Sequence, residues 1–119
     1  MRVLLVDDER ELVSTMAERL SFRGIDAEWA CTCDDALKRV ESTIFDLAVL
    51  DVKMPKMSGL ELKRKLQAKC PGMKFIFMTG HGSKDDFEAG SAETGTEYYL
   101  VKPIHIEALI DKIKDACTK

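Results

Sequence analysis

Apolar residues occur along the chain in short unbroken runs, separated by longer segments in which they recur every three to four positions. The unbroken runs cover residues 3–6, 47–50, 75–78 and 98–101. Runs of this kind are typical of parallel strands that are covered on both faces. The periodic segments, such as residues 12–20, predict amphipathic helices. The pattern therefore predicts an alternation of strands and helices.

Local signals place the second strand and the next two helices. Residues 27–30 predict a short strand near an edge of the sheet. Thr32 and Ser58 each precede a helical segment and are followed three residues later by an acid, which is the spacing of a capping box. Pro71-Gly72 is expected to end the third helix, because proline disfavours helical backbone in the residue before it.

The sequence favours the fifth helix much more strongly than the fourth. A helix that begins near Ser83 would carry Gly90 in its interior, which costs about 1 kcal/mol relative to alanine, and Phe87 is its only large apolar side chain. The last helix has isoleucine or leucine at positions 106, 109, 110 and 113, a well-defined apolar stripe. We therefore expect a weak fourth helix and a stable fifth.

Five strands that alternate with five helices predict an α/β fold with a parallel sheet, helices on both faces and right-handed crossovers. A chain of 119 residues is long enough for one core and too short for two. For this length we expect the flavodoxin-like strand order 2-1-3-4-5, with residues 1–119 forming a single domain. The fold alone does not assign a function.

Composition narrows the class of protein. The chain is 45% hydrophobic and 33% charged, and it has no apolar stretch near the ~20 residues that span a bilayer. Because Met1-Arg2 leads directly into a strand, we expect no signal peptide, no membrane partner and a cytoplasmic location. A net charge of −3 argues against direct binding of nucleic acid phosphates. The four cysteines lack a nearby histidine at metal-ligand spacing, so reduced thiols are expected.

Four of the predicted strands are followed by polar residues that can carry chemistry. Asp7 and Asp8 follow the first strand, Asp51 follows the third, Thr79 the fourth and Lys102 the fifth. The carboxyl ends of parallel strands share one edge of a sheet, where ligands bind in open α/β folds. We therefore expect three carboxylates, a hydroxyl and an ammonium group to converge there.

Three clustered carboxylates repel one another unless a cation compensates them. Oxygen ligands without histidine or cysteine favour Mg²⁺, and a carboxylate can also act as a nucleophile that becomes an aspartyl phosphate. Thr79 and Lys102 could then neutralise and position the phosphoryl oxygens. Each residue also has a structural alternative: Lys102 could cap a strand end, Thr79 could serve a turn, and Asp7 or Asp8 could cap the first helix.

Four segments together form a recognisable signature: Leu5-Val6-Asp7-Asp8-Glu9, Asp51-Val52-Lys53-Met54-Pro55 with Gly59, Thr79-Gly80, and Lys102-Pro103. Over essentially its whole length the chain resembles the receiver domain of two-component response regulators. The roles that this resemblance implies are Asp51 as phosphoacceptor, Asp7 and Asp8 with Asp51 around Mg²⁺, the Lys53 backbone carbonyl as a further Mg²⁺ ligand, and Thr79 and Lys102 on the phosphoryl group.

The resemblance also implies an output surface and two side chains that tune the lifetime of the phosphorylated state. Tyr99 matches the switch aromatic of the family, and together with Thr79 it would change the surface of helix four, strand five and helix five. The side chains of Lys53 and His81 would lie over the phosphoryl group. We expect Lys53 to shield that group and neutral His81 to orient water, so both would tune the lifetime of the phosphorylated state.

The expected function is a phosphorylation-controlled signalling module rather than an enzyme that turns over a substrate. It would accept its phosphoryl group from a sensor histidine kinase or a phosphotransfer protein, assist its own phosphorylation and dephosphorylation, and act on a downstream effector domain or protein. A phosphorylation-dependent homodimer would be compatible with this function.

Two other functions are possible on the same fold. A flavin-binding module is disfavoured because its phosphate loop after strand one should be rich in Ser, Thr and Gly, whereas Asp7-Asp8-Glu9 would repel phosphate. A yellow colour in the purified protein would indicate it. A phosphatase that uses an aspartyl phosphate is disfavoured because Lys53 stands where its second acid is expected. Turnover of a small phosphomonoester would indicate that enzyme.

Overall fold

A parallel sheet of five strands forms the centre of the molecule in the computed structural model, which describes residues 1–54, 56–80 and 99–118. The strands are β1 (Arg2–Val6), β2 (Asp26–Ala30), β3 (Leu47–Asp51), β4 (Lys74–Thr79) and β5 (Tyr99–Val101). Their order is β2-β1-β3-β4-β5, and every neighbouring pair is parallel. The predicted fold class and strand order are therefore confirmed.

The described helices are α1 (Arg10–Phe22), α2 (Cys33–Ser42), α3 (Gly59–Lys69) and a C-terminal helix (Ile106–Thr118). They correspond to the first, second, third and fifth helices that the sequence predicts. The predicted fourth helix, beginning near Ser83, lies outside the described residues. None of the four helices just named is long and apolar enough to cross a bilayer.

The predicted capping residues begin α2 and α3. The Thr32 hydroxyl accepts a hydrogen bond from the Asp35 backbone N–H at 3.1 Å, and the Ser58 hydroxyl accepts one from the Glu61 N–H at 3.2 Å. Each bond satisfies one of the backbone donors that a helix leaves free in its first turn. These caps fix where the helices after β2 and β3 begin.

Two apolar layers hold the helices to the sheet. Alternate residues of a strand point to opposite faces, and so Leu5 and Val49 pack with α1 and the C-terminal helix, whereas Leu4 and Leu50 pack with α2 and α3. All five residues of β3 are buried. This two-sided burial explains why the central strand is an unbroken apolar run.

Trp29 lies on β2, which is an edge strand as the sequence predicts. Its ring is half-buried against the layer that contains α1. The Arg10 guanidinium, at the start of α1, lies 5.3 Å from the centroid of the ring. This cation–π contact connects the edge of the sheet to the first turn of α1.

The four cysteines are free thiols. Burial raises the pKa values of Cys31, Cys33 and Cys117 above the ordinary value of a thiol. A thiol with a raised pKa is protonated at neutral pH and is a poor nucleophile or metal ligand.

Candidate functional site

Three of the predicted site residues are buried at the carboxyl ends of their strands. Asp7 immediately follows β1 and has no exposed surface, Asp51 is the last residue of β3 and is 5% exposed, and Thr79 ends β4 at 2%. Carboxylate oxygens of Asp7, Asp8 and Asp51 all lie within 4.8 Å of one another. The predicted convergence of the three acids at one edge is therefore present.

The Lys102 ammonium contacts two acids of this cluster and the neighbouring Glu9. Its Nζ atom is 2.6 Å from Oδ2 of Asp7, 3.2 Å from Oε1 of Glu9 and 3.6 Å from Oδ2 of Asp51. The Lys102 side chain is 11% exposed and both aspartates are buried, so water screens these two contacts poorly, whereas the Glu9 side chain is 64% exposed. Lys102 therefore compensates part of the negative charge of the cluster.

Backbone hydrogen bonds hold the acids and the lysine in place. Oδ1 of Asp7 accepts from the Glu9 N–H at 2.9 Å, and Oδ1 of Asp51 accepts from the Lys53 N–H at 3.3 Å. The Lys102 N–H donates to the Thr79 carbonyl at 2.7 Å, which ties the residue after β5 to the end of β4. The site is thus built on rigid strand ends and the turns that follow them.

Gly59 lets α3 begin directly beside the end of β3. Its N–H donates to the Val52 carbonyl at 2.8 Å. A Cβ atom at this position would overlap the backbone carbonyl oxygen of Asp51. Only glycine fits this close approach, and its part in the recognised signature has a steric reason.

The environment raises the pKa of Asp51 to about 6. Burial is the main cause, the neighbouring charge of Asp7 adds to it, and the Lys102 ammonium and the Lys53 N–H act in the opposite direction. Burial lowers the pKa of Lys102, but its contacts with Asp7, Asp51 and Glu9 outweigh that effect, and the pKa is raised overall. Lys102 is therefore charged at neutral pH, while burial still disfavours the ionised form of Asp51.

The donor set suits a hard divalent cation. Asp7, Asp8 and Asp51 offer carboxylate oxygens from one small region, and Asp8 is exposed to solvent while the other two are buried. Mg²⁺ is bound through one or two carboxylates and keeps several waters, which an exposed acid at the rim allows. Burial and the charge of Asp7 raise the pKa of Asp51, and a cation beside its carboxylate would act in the opposite direction.

The remaining predicted residues differ in position. Tyr99 is 6% exposed and packs in the layer that contains α2 and α3, opposite Phe77 in the pairing of β4 with β5. The Lys53 side chain is exposed at the turn after Asp51. His81 lies outside the described residues.

Sequence reasoning gave Glu9 no role, although the structure places its carboxylate on Lys102. The two residues are 93 positions apart, so no local pattern predicts the contact. The available signal was a third acid directly after Asp7 and Asp8. In addition, a cleft of about 470 Å³ opens beside the site, with Glu9 and Lys102 among its lining residues.

Comparison with known families gives a match over nearly the whole chain. The model that describes the response regulator receiver domain matches residues 3–114. Curated relatives include the response regulator MprA of Mycobacterium avium, which is 34% identical over 114 residues, and that of Mycobacterium leprae, which is 35% identical over the same length. Each match covers 96% of this chain and 50% of the relative, so the chain spans about half the length of these proteins.

Solved structures give the same result. A CheY-like receiver domain from Methanospirillum hungatei has a TM-score of 0.87 and 35% identity, and the match covers 98% of this chain and 93% of that one. The response regulator TrrA of Thermotoga maritima, solved in complex with Mg²⁺ and BeF, has a TM-score of 0.81 and 31% identity, with 97% of both chains covered.

Proposed function

Because the chain belongs to the response regulator receiver domain family, we propose that it is a signalling module controlled by phosphorylation of Asp51. The observation that carries the proposal is the position of this carboxylate. Asp51 lies at the end of the central strand, buried beside two other acids and within 3.6 Å of the Lys102 ammonium.

In the proposed reaction an oxygen of the Asp51 carboxylate attacks the phosphorus of a phosphohistidine on a sensor kinase or phosphotransfer protein. The new bond is an acyl phosphate, and the phosphorus–nitrogen bond of the donor breaks. The electron pair of that bond returns to the imidazole nitrogen, which then takes up a proton. The reaction needs an ionised Asp51, and at pH 7 to 8 a pKa of about 6 leaves most of it ionised.

Neutralising the phosphoryl oxygens is the main catalytic requirement of such a transfer. The Lys102 ammonium already lies near Asp51 and can move from the acids to a phosphoryl oxygen. The Thr79 hydroxyl is buried at the neighbouring strand end and can donate a hydrogen bond. The backbone hydrogen bond from the Lys102 N–H to the Thr79 carbonyl holds the two residues at neighbouring positions of the same edge.

We propose Mg²⁺ as the cofactor, held by Asp7, Asp8 and Asp51 with the Lys53 backbone carbonyl as a further ligand. When bound, the cation would supply positive charge for the oxygens of the transferred group. The observation that supports it is the group of three carboxylates, which Lys102 compensates only in part. The structure of the Thermotoga relative in complex with Mg²⁺ and BeF is in keeping with this cofactor.

The test of the phosphoacceptor is phosphorylation by acetyl phosphate in the presence of Mg²⁺, followed by mass spectrometry of the intact protein. We expect one phosphate on the wild-type chain and none on Asp51→Asn. Asp111→Asn, which changes an exposed aspartate on the C-terminal helix, is the matched control and should be labelled like wild type. An undiminished adduct on Asp51→Asn would show that another residue is the acceptor.

We further propose that the module is not an enzyme with a separate substrate. A single stoichiometric label, with no turnover of a small phosphomonoester, is the expected result, because the position two residues after Asp51 is Lys53 and not an acid. Steady release of phosphate from such a compound would favour the phosphatase. A downstream effector domain or protein would receive the signal. We propose a cytoplasmic location for the module.

The proposed output surface includes β5 and the C-terminal helix, together with the predicted fourth helix. Thr79 pairs with Val101 across β4 and β5, and Tyr99 is two residues earlier on the same short strand. A shift of Thr79 toward a phosphoryl group would therefore act on the strand that carries Tyr99. Hydrogen exchange on adding beryllofluoride should change in β5 and the C-terminal helix. Changes confined to α2 and α3 would refute this surface.

A further inference from the structure

The Lys102 ammonium acts as an internal counter-ion of the acidic cluster. It lies 2.6 Å from Oδ2 of Asp7, while Oδ1 of the same carboxylate accepts the Glu9 N–H. A divalent cation that binds Asp7 must therefore compete with the ammonium for this carboxylate. Binding of the cation requires that Lys102 give up or weaken its shortest ion pair.

Glu9 offers the ammonium another partner. Its Oε1 atom already lies 3.2 Å from Nζ of Lys102, and its side chain is 64% exposed, in contrast to the buried Asp7. Glu9 is not among the three acids, Asp7, Asp8 and Asp51, whose oxygens lie close enough to share a cation. Although it is the N-cap residue of α1, its side chain makes no capping hydrogen bond. Its carboxylate is therefore not committed to the cation or to the helix.

We propose that Glu9 is a positioning residue that receives the Lys102 ammonium when a divalent cation takes over the Asp7 carboxylate. The inference rests on the proposed Mg²⁺ site and adds a residue to it. Before the cation binds, Asp7, Glu9 and Asp51 share the ammonium. After it binds, Asp7 and Asp51 hold the cation, and Glu9 is left as the partner of the ammonium. Glu9 therefore stabilises the bound state more than the free state.

Two substitutions separate the contact from the charge of Glu9. Glu9→Gln keeps the length of the side chain and removes its charge. Glu9→Asp keeps the charge and shortens the side chain by one methylene, so that it no longer reaches Lys102. Glu11→Gln is the control, because it removes one charge from an exposed residue in the same first turn of α1.

The measurement is the dissociation constant of Mg²⁺ by isothermal titration calorimetry on the full chain. The free energy that an exposed ion pair contributes corresponds to a change of about two- to five-fold in this dissociation constant. We expect both Glu9 variants to bind Mg²⁺ more weakly by this factor and Glu11→Gln to bind like wild type. If Glu9→Asp binds Mg²⁺ as tightly as wild type, the charge at position 9 matters and its contact with Lys102 does not. That result would overturn the inference. Melting temperatures measured without Mg²⁺ identify a variant that fails to fold. If Glu9→Gln fails to fold, the Mg²⁺ affinity of Glu9→Asp, which keeps an acid at the N-cap, is the deciding measurement.

A double-mutant cycle assigns the effect to Lys102. In a Lys102→Met background no ammonium needs a new partner, so Glu9→Asp should leave the affinity for Mg²⁺ unchanged. An equal loss in both backgrounds would contradict the inference. Failure of the wild-type chain to bind Mg²⁺ would refute the proposed cofactor together with this role. Normal binding with unaffected Glu9 variants would refute the role alone.

Discussion

The Asp51→Asn substitution is expected to stabilise the metal-free protein at neutral pH, although it removes the proposed phosphoacceptor. Ionised Asp51 is buried beside Asp7, and the Lys102 ammonium compensates this cost only in part. Asparagine has nearly the same shape and carries no charge. The variant should therefore be more resistant to unfolding than the wild-type chain when no divalent cation is present.

The size of the effect follows from the pKa of Asp51, which rises from 3.8 to about 6. Each pKa unit corresponds to about 1.4 kcal/mol, so the ionised side chain lowers the free energy of unfolding by about 3 kcal/mol above pH 6. Between about pH 4 and 6 the folded state keeps a proton that the unfolded state has released. The stability of the wild-type chain therefore falls as the pH rises through this window.

Urea unfolding in EDTA, from pH 4.5 to pH 7.5, measures this difference. We expect Asp51→Asn to exceed wild type by up to about 3 kcal/mol at pH 7.5, and the linkage relation reduces the gap to about 1 kcal/mol at pH 4.5. Asp111→Asn, at an exposed position, should follow wild type at each pH. A variant that is no more stable than wild type at pH 7.5, or a gap that does not narrow in acid, would refute the reasoning.

Three other expectations concern the cation, the backbone at Gly59 and the lifetime of the phosphorylated state. Mg²⁺ at ten times its dissociation constant should raise the free energy of unfolding by about 1.4 kcal/mol, and thermal melts of Asp8→Asn should show little of this gain. Gly59→Ala should cost about 1 to 3 kcal/mol in urea unfolding, because the added methyl group forces a backbone shift; Gly72→Ala, where a Cβ meets no atom within 4 Å, should be nearly neutral. Decay of the phosphorylated protein should be faster in Lys53→Ala, and any pH dependence between about pH 6 and 8 should be lost in His81→Ala; equal rates in all three proteins would deny both side chains a kinetic role.

Much of the architecture could be predicted because each strand and helix carries its own signal. The unbroken run of β3 reflects burial on both faces, and the hydroxyls of Thr32 and Ser58 begin their helices as expected. The observed strand bounds differ from the predicted ones by single residues. For example, β2 begins at Asp26, whereas the predicted strand begins at residue 27. That extra residue is exposed, so hydrophobicity gives no sign of it.

The sequence predicts that the three acids meet at one edge of the sheet, but it does not predict the contacts between their side chains. The convergence of Asp7 and Asp51 follows from the parallel order of the strands, which places their ends at one edge. The partners of Lys102 depend on side-chain conformations that only tertiary packing fixes. For that reason the ion pair with Glu9 and the partial compensation of Asp51 could not be predicted from the sequence.

The contact between Arg10 and Trp29 gives the chain a built-in optical probe. Trp29 is the only tryptophan in the sequence, so the indole emission comes from one known place. Its ring is covered by the guanidinium of Arg10, the first residue of α1 and the third after Asp7. Any displacement of that first helical turn alters the polarity around the indole. Fluorescence of the unlabelled protein therefore reports on the first turn of α1, three residues after Asp7, at concentrations too low for calorimetry.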